Sequence, residues 1–334
     1  MKTEVCITID VEFSIAGAFD SPNRFAPLSE EVVNCVVDGR EQGLGFIMDS
    51  LGQHGFSGTF FTEALQTAYF GDAPMARIVE RMASAGHDVQ LHLHPCWLYF
   101  RNSAWQQPGF EPNDACSRRT DAELDEMIGL GFEAFSKWGL PPPVALRTGG
   151  FCTNLAVYQA MARAGLDLAS NIGLAVFEPS EPALQVWGGQ HLVDGVLEVP
   201  VLSYRTPGFG PLMPSQWRLL TITSTSNSEM ESLLLAARRS GVQSVVLLTH
   251  PFEFINQRGF RYDNLRKNGV NQKRLLHLLE FLEANSDDFV VTTFDKRRRD
   301  WLEAGTVTTP ILHTPLRHAL LRTAQNVLND FLLV

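Results

Sequence analysis

Short apolar segments alternate along the chain with longer segments whose apolar residues recur every three or four positions. Short runs rich in β-branched and aromatic residues predict strands, and the longer period predicts helices. The predicted strands are EVCITID (4–10), SGTFFTE (57–63), HDVQLHL (87–93), PVALR (143–147), LDLAS (166–170), LEVPVL (197–202), TITS (221–224), SVVLLTH (244–250) and DFVVTTF (288–294). The predicted helices cover 45–55, 73–86, 121–139, 154–165, 228–241 and 271–284. This alternation predicts an α/β fold of βαβ units with parallel strands, and their number favours a closed barrel over an open sheet.

Two long segments and the C-terminus do not follow this alternation. Segments 98–119 and 203–217 are polar and aromatic without either period. Loops of this length in a compact barrel form groove walls or lids, or are peripheral decoration, and both interpretations remain open. Segment 316–334 is amphipathic and predicts a helix that packs on the barrel or on a second subunit. We therefore expect a single barrel domain over 1–300 and a C-terminal extension over 301–334.

The composition is consistent with one large globular domain. A hydrophobic content of 45% in 334 residues supplies an ample core, and a charged fraction of 19% argues against disorder. The formal net charge of −10 disfavours nucleic acid or an anionic membrane as the partner. The sequence has no signal-peptide pattern, no apolar run long enough for a membrane span and no CxxC pair among its five cysteines. We therefore expect a cytoplasmic protein with reduced thiols and no membrane span.

Polar residues with catalytic chemistry stand at or just after the ends of four predicted strands. They are Asp10, Glu12, His92, His94, Arg147 and His250. Because the C-terminal ends of parallel strands converge on one rim of a barrel, we expect these side chains to share one site. Each residue taken singly has a structural explanation, such as a helix cap, an ion pair or a buried hydrogen bond. Four such coincidences at one rim favour the functional interpretation.

The spacing of these residues indicates metal chemistry. Asp10 and Glu12 are two residues apart, so they point to the same side of an extended chain and repel each other unless a cation lies nearby. His92 and His94 have the same spacing, so both imidazoles can face one point. Two histidines and one carboxylate form a zinc-type ligand set with an open position for a water nucleophile. The other carboxylate is then free to act as a base.

Four other residues can be interpreted from their positions. Arg147 can orient the base and lower its pKa, and His250 can act as a general acid because imidazole titrates near neutrality. We interpret His87, which precedes the third strand, as a structural histidine bonded to backbone. Cys96 is either a soft metal ligand or a buried free thiol, and we favour the thiol.

The motifs that carry these residues resemble a known family. In chain order they are TIDVE (8–12), GHDVQLHLHP (86–95), RTGGF (147–151) and LLTHP (247–251). They resemble the motifs of the polysaccharide deacetylases with a nodulation-type homology domain, which are similar to carbohydrate esterase family 4, and the resemblance covers about residues 4–295. It implies a distorted (β/α)7 barrel and a divalent metal held by one aspartate and two histidines. It also implies removal of N-acetyl, or sometimes O-acetyl, groups from amino sugars.

The resemblance assigns roles to individual residues. Asp10 resembles the catalytic base, and Glu12 stands in the place of the metal carboxylate. His92 matches the first metal histidine. Arg147 resembles the arginine that holds the base, and His250 resembles the catalytic acid.

The chain also departs from the family pattern at three points. Val11 separates two acids that are usually adjacent aspartates, and the second acid is a glutamate. Cys96 occupies the usual position of the second metal histidine, so His94 has to serve in its place. The aspartate that normally partners the catalytic histidine is not evident, and Asp194 is only a weak candidate. These departures resemble a divergent branch of the family.

The resemblance implies a substrate and a cofactor, and two alternatives compete with it. The expected substrate is an acetylated amino sugar or glycan, and the expected cofactor is a divalent ion, zinc first, with cobalt, nickel or manganese as alternatives. A homodimer through the C-terminal helix is a further expectation. The first alternative is a C–N hydrolase of a small amide, formamide or ureide, which a cytoplasmic location favours. The second is a catalytically silent barrel that binds glycan or protein.

The segments outside the regular elements contain aromatic residues that suit stacking on sugar faces. They are Trp97, Tyr99, Trp105, Phe209, Trp217, Phe252 and Phe254. Some of them are expected to belong to the core instead.

Overall fold

The computed structural model describes residues 2–106, 112–208 and 215–331. The strands in these ranges are β1 (Thr3–Val11), β2 (Val36–Val37), β3 (Arg40–Glu41), β4 (Thr59–Glu63), β5 (Asp88–Leu93), β6 (Ala145–Thr148), β7 (Leu168–Ala169), β8 (His191–Val193), β9 (Val196–Glu198), β10 (Ser203–Arg205), β11 (Trp217–Leu219), β12 (Ser244–Thr249), β13 (Ile255–Asn256), β14 (Arg266–Lys267) and β15 (Phe289–Thr292). The helices are α1 (Glu30–Asn34), α2 (Leu44–Gln53), α3 (Thr67–Phe70), α4 (Ala73–Ser84), α5 (Asp121–Lys137), α6 (Leu155–Ala164), α7 (Asn227–Arg239), α8 (Gly269–Ala284), α9 (Phe294–Ala304) and α10 (Leu316–Phe331).

The main sheet has the order β12-β1-β4-β5-β6-β7-β9-β8, and β15 also pairs with β1. Its strands are parallel except for the β8–β9 hairpin. Single bridges from Val201 to Val246 and from Thr221 to Leu248 connect the chain that follows β9 to β12. The sheet therefore curls into the distorted barrel that the resemblance implied, and the predicted fold class is confirmed.

β1 is apolar on both faces because alternate side chains along it pack into two different cores. Val5, Ile7 and Ile9 pack in the core between the sheet and the helices. Cys6 belongs to the second core, inside the barrel, together with Phe61. A strand covered on both faces reads as a nearly continuous apolar run, which is how it was identified in the sequence. The acidic side chains of Asp10 and Glu12 follow where β1 reaches the rim.

The predicted strand TITS (221–224) is wrong. Thr221 forms one bridge to Leu248, and the chain then turns. The amide of Ser224 donates to the hydroxyl of Thr221 at 3.2 Å, and the two hydroxyls are also in hydrogen-bond contact. Such local side-chain bonds compete with a strand ladder, so propensity alone misleads here. The nearby ribbon of β10 and β11 forms instead where segment 203–217 was predicted to be irregular, with β11 starting at its last residue.

The C-terminal helix α10 packs on the barrel, and its inward face is polar. The guanidinium of Arg322 is buried and donates to Glu229 of α7 at 2.6 Å, and Asn326 accepts from Arg274 of α8 at 2.8 Å. Leu320 and Val327 of the same helix are exposed. The homodimer through this helix stays a prediction.

The division of the chain at residue 300 also stays a prediction, and it falls inside α9. Trp301 of this helix is buried against Phe294 and donates its indole N–H to Glu4 at 2.7 Å. Among the residues described, no helix combines the length and the apolar character needed to cross a membrane.

Candidate active site

The six residues predicted from the strand ends come together at one rim of the barrel. A cavity of about 470 Å³ opens there. Its lining includes Asp10, Glu12, His92, His94 and His250, together with Glu253. Arg147 lies fully buried beside Asp10. The cavity therefore lies where the C-terminal ends of β1, β5, β6 and β12 meet.

Asp10 and Arg147 form a buried ion pair at the floor of this cavity. One guanidinium nitrogen of Arg147 donates to Oδ1 of Asp10 at 2.6 Å and also to the hydroxyl of Thr8 at 3.0 Å. A second nitrogen donates to the hydroxyl of Ser170 at 2.8 Å, and Nε donates to the Ser170 carbonyl. The ring of Phe61 lies 4.1 Å from the guanidinium carbon. Arg147 is therefore fixed by Asp10, Thr8 and Ser170. It occupies Oδ1 of Asp10 and leaves Oδ2 of the same carboxylate available.

His250 lies on the other side of Asp10, between two carboxylates. Its Nε2 is 3.8 Å from Oδ2 of Asp10, and its Nδ1 is 3.2 Å from Oε1 of Glu253. Burial lowers the pKa of His250, but the nearby charges of Glu253, Asp10 and Glu12 outweigh it and raise this pKa to about 9. The imidazole can therefore hold a proton on the atom that faces the cavity.

Glu253 is a site residue that the sequence reasoning missed. Its Oε2 accepts hydrogen bonds from the hydroxyl of Thr249 at 2.7 Å, the hydroxyl of Thr223 at 2.8 Å and the amide of His250 at 3.1 Å. The signal was present in the sequence, because a glutamate three residues after His250 at a Pro-initiated turn has the capping-box spacing. Glu253 therefore makes the carboxylate contact with His250 for which Asp194 was considered.

Asp194 is not in the site. It lies exposed in the turn between β8 and β9 and accepts a hydrogen bond from Gln159 at 2.9 Å. Because β9 runs parallel to β7, the turn that precedes β9 is at the opposite end of the barrel from the cavity.

Glu12, His92 and His94 form a compact group at the opposite wall. Oε2 of Glu12 is 3.5 Å from Nε2 of His92 and 2.8 Å from Nε2 of His94. Nδ1 of His92 is 2.8 Å from the carbonyl of Arg147, which can only accept, so Nδ1 donates to it and Nε2 is the nitrogen that faces Glu12. Nδ1 of His94 is 2.6 Å from Oδ2 of Asp114. Both rings therefore point the same nitrogen at the same carboxylate.

This group fits a divalent cation. One ligand atom from each of Glu12, His92 and His94 lies within 4.8 Å of the others. Burial raises the pKa of Glu12, but His94 and His92 outweigh it and hold this pKa well below its usual range. Burial lowers the pKa of His94, but Glu12 and Asp114 raise it well above its usual range. Two imidazole nitrogens and a carboxylate, at a point where positive charge is stabilised, match the ligand set of catalytic zinc sites.

A second buried glutamate lies near this group and was also missed. Glu63 ends β4 directly beside His92 of β5. Its Oε1 accepts from the amide of Leu65 at 2.6 Å, and its buried Oε2 has no hydrogen-bond partner among the residues described. Burial raises the pKa of Glu63 well above its usual range, against the opposing charge of His94. We therefore expect a neutral carboxyl here. Glu63 ends a predicted strand (57–63), but no second acid or histidine stands two residues away, so its sequence context carried no paired motif.

His87 behaves as a structural group, and Cys96 is a buried free thiol beside two other potential ligands. His87 lies at the far end of β5 and accepts from the amide of Gly58 at 3.3 Å, which confirms the structural interpretation. Cys96 is buried, and burial raises the pKa of its thiol well above the usual range. The Cys96 thiol belongs to a different group of potential ligands, with His94 and Asp114.

The predicted aromatic residues divide between the cavity and the core. Trp217 lines the cavity, and Phe252 stacks on His250 with ring centroids 5.0 Å apart. Trp97 and Phe254 are fully buried core residues instead. Phe209 lies outside the described residues.

Comparison with known proteins supports the fold. No protein-family model matches the chain, and no curated protein sequence matches it significantly. A structure described as a putative polysaccharide deacetylase from Mycobacterium smegmatis is similar over 93% of this chain and 96% of its own, with a TM-score of 0.54 at 19% identity. A family 4 carbohydrate esterase from Streptomyces lividans in complex with acetate aligns over 92% of this chain and 98% of its own, with a TM-score of 0.46 at 13% identity. The first of these likenesses confirms the expected fold.

Proposed function

We propose that this protein is a divalent-metal-dependent deacetylase that hydrolyses the acetyl groups of an amino sugar or glycan. One observation carries the proposal: a carboxylate–arginine pair, a histidine–carboxylate pair and a two-histidine, one-carboxylate group line or adjoin one cavity. Each part alone has structural explanations. Their convergence supplies a base, an acid and a cation site in the arrangement that amide hydrolysis needs.

Glu12, His92 and His94 are the residues that would hold the ion. A divalent ion bound there supplies Lewis-acid polarisation of the acetyl carbonyl and activation of the attacking water. Zinc suits this ligand set first, and cobalt, nickel or manganese are alternatives. The ligands lie at the edge of the cavity, with side chains of Glu12 and His94 each 19% exposed, so a substrate can approach them.

Asp10 acts as the general base. Its Oδ1 is occupied by Arg147, so Oδ2 is the oxygen that takes the proton from the attacking water. Arg147 fixes the carboxylate in position through a short charge-assisted hydrogen bond.

His250 acts as the general acid. Glu253 holds the proton on Nδ1, which leaves the Nε2 proton facing the cavity. His250 gives this proton to the departing nitrogen as the carbon–nitrogen bond breaks. The products are acetate and the free amine of the sugar.

The cavity walls support a carbohydrate substrate. Thr221 and Ser224, in the turn after β11, contribute hydroxyl groups to the lining. Phe151, Val176 and Trp217 contribute apolar surface. A lining that combines hydroxyl and apolar surface suits the polar edge and apolar face of a sugar ring.

The proposal is tested with a substrate panel. Zinc-loaded protein is incubated with N-acetylglucosamine oligomers, acetylated xylan and nucleotide-linked N-acetylglucosamine, and acetate release is measured beside a protein depleted by chelation. Acetate release that needs the metal supports the proposal. Ammonia or formate release from small amides or formamides, without acetate from any sugar, would favour the small-amide hydrolase, and binding without turnover of any compound would favour the silent barrel.

A further inference from the structure

The loop that precedes α5 contacts His94, one of the three candidate metal ligands. Oδ2 of Asp114 in this loop lies 2.6 Å from Nδ1 of His94, whereas Nε2 on the other side of the ring faces Glu12. The Oδ1 atom of the same carboxylate accepts from the amide of Cys96 at 3.0 Å. Asp114 is therefore fixed to the chain on both oxygens.

The loop itself is anchored on both sides of Asp114. Arg119 donates to the carbonyl of Asn113, and its guanidinium lies 5.4 Å from the ring centroid of Tyr99. The amide of Ser117 donates to the carbonyl of Cys152 at 3.0 Å. These contacts fix where the Asp114 carboxylate lies relative to the barrel.

The ring of His94 also rests against backbone. An added Cβ on Gly149 would lie 2.3 Å from Cε1 of His94, a distance that real side chains do not adopt. Gly149 therefore leaves the space that the ring occupies. His94 is clamped between Glu12, Asp114 and Gly149.

These contacts matter because His94 lies beyond the end of its strand. His92 lies within the β5 ladder, whereas His94 comes after the last residue of the strand, in extended conformation just before a 3-10 turn. A ring beyond the strand end has no ladder to hold its direction. A carboxylate on Nδ1 fixes both the tautomer and the direction of the ring, which presents Nε2 to an ion.

We propose that Asp114 is the positioning residue that makes His94 a metal ligand in this chain. The inference rests on the proposed metal site and adds the loop before α5 to it. It predicts that Asp114 acts through His94 and is not itself a ligand. The competing arrangement is an ion held by His94, Cys96 and Asp114.

The experiment is a calorimetric titration of metal-free protein with Zn²⁺ alone, at fixed pH. Asp114→Asn is expected to weaken binding about 10–100-fold, as loss of an outer-shell carboxylate does. Cys96→Ser is expected to leave the affinity unchanged, and the wild-type Co²⁺ complex to show no thiolate absorption band. Asp125→Asn is the matched control, because Asp125 is a similarly exposed aspartate that pairs with Arg163 on the surface.

Gly149→Ala provides an independent test, because it displaces the His94 ring without changing any charge. Weaker Zn²⁺ binding in both Asp114→Asn and Gly149→Ala, with folded circular dichroism spectra, supports the inference. Unchanged affinity in Asp114→Asn overturns it while the proposed function stands. Loss of binding in Cys96→Ser overturns it in favour of the competing site, and a wild-type protein that binds no Zn²⁺ overturns both proposals.

Discussion

The two sides of the cavity are built in different ways. On the base side, Asp10 of β1 and Arg147 of β6 are buried, and Arg147 is held by Thr8 of β1 and by Ser170, which follows β7. On the metal side, Glu12 and His94 are partly exposed, and the partner of His94, Asp114, comes from a loop.

The base side and the metal side are held in place by different parts of the fold. The base side depends on the sheet register, so whatever folds the barrel also places Asp10 against Arg147. The metal side depends on a loop contact and on the room that a glycine leaves. We therefore expect changes on the base side to affect activity and stability together, and changes on the metal side to affect metal affinity first.

The largest effect is expected for Asp10→Asn. The variant keeps the shape but removes the base, and positioned acid–base groups contribute about 10²–10⁴-fold to rate. We expect kcat/KM for acetate release to fall by this factor while zinc content stays near that of the wild type. Loss of zinc together with activity would show that Asp10 belongs to the metal side. Asp125→Asn serves as the control for the same chemical change on the surface.

Arg147→Met should reduce stability as well as activity. It leaves the buried Asp10 carboxylate without its partner, and breaking a buried pair in this way costs about 3–5 kcal/mol. Urea unfolding measures the loss. Arg163→Met breaks an exposed pair with Asp125 and should leave the unfolding midpoint near that of the wild type. Equal midpoints for both variants would contradict the buried character of the base side.

Glu253→Gln should change the pH dependence of catalysis. The Glu253 carboxylate is the nearest of the charged groups that face His250, which also include Asp10 and Glu12, and together they raise the pKa of His250 to about 9. The acid must be protonated, so kcat/KM falls as pH rises through this pKa. Without the carboxylate the pKa falls, and the alkaline limb of the profile should move to lower pH by roughly 1 unit or more. An unmoved alkaline limb would exclude His250 as the acid.

The smallest effect is expected for Ser170→Ala. The variant removes the Ser170 hydroxyl that accepts a hydrogen bond from Arg147. A buried hydrogen bond to a charged group contributes about 1.5–3 kcal/mol to stability. We expect a modest fall in both kcat and the unfolding midpoint, with Zn²⁺ affinity unchanged. Since Asp114→Asn should show the reverse pattern, the two variants together measure how separate the two sides are. A fall in Zn²⁺ affinity in Ser170→Ala would show that they are coupled.

The sequence was most informative where chemistry follows a strand. Asp10, His92, Arg147 and His250 each come at or directly after the carboxyl end of a buried strand, so one rule about parallel strands brought them together. Glu253 was missed because it lies in the 3-10 turn after β12 and not at the strand end, although its spacing from His250 held the signal.

Asp114 could not have been identified in the same way. Asp114 reaches His94 from a loop 20 residues further along the chain, and no periodicity reports such a contact. Glu63 does end a predicted strand (57–63), but no second acid or histidine two residues away marked it, and the sheet register places it beside His92. The strand TITS (221–224) failed for the opposite reason, since β-branched residues were counted without the local hydroxyl bonds that end the ladder.

The central claim is that Glu12, His92 and His94 bind one catalytic cation, and elemental analysis of the purified protein tests it most directly. The wild type is compared with the His92→Ala, His94→Ala double variant after both have been incubated with zinc and desalted. We predict about one divalent ion per chain in the wild type and none in the double variant, in proportion to acetate release. Equal metal content in both proteins, or none in either, would contradict the account and leave these three side chains with a structural role.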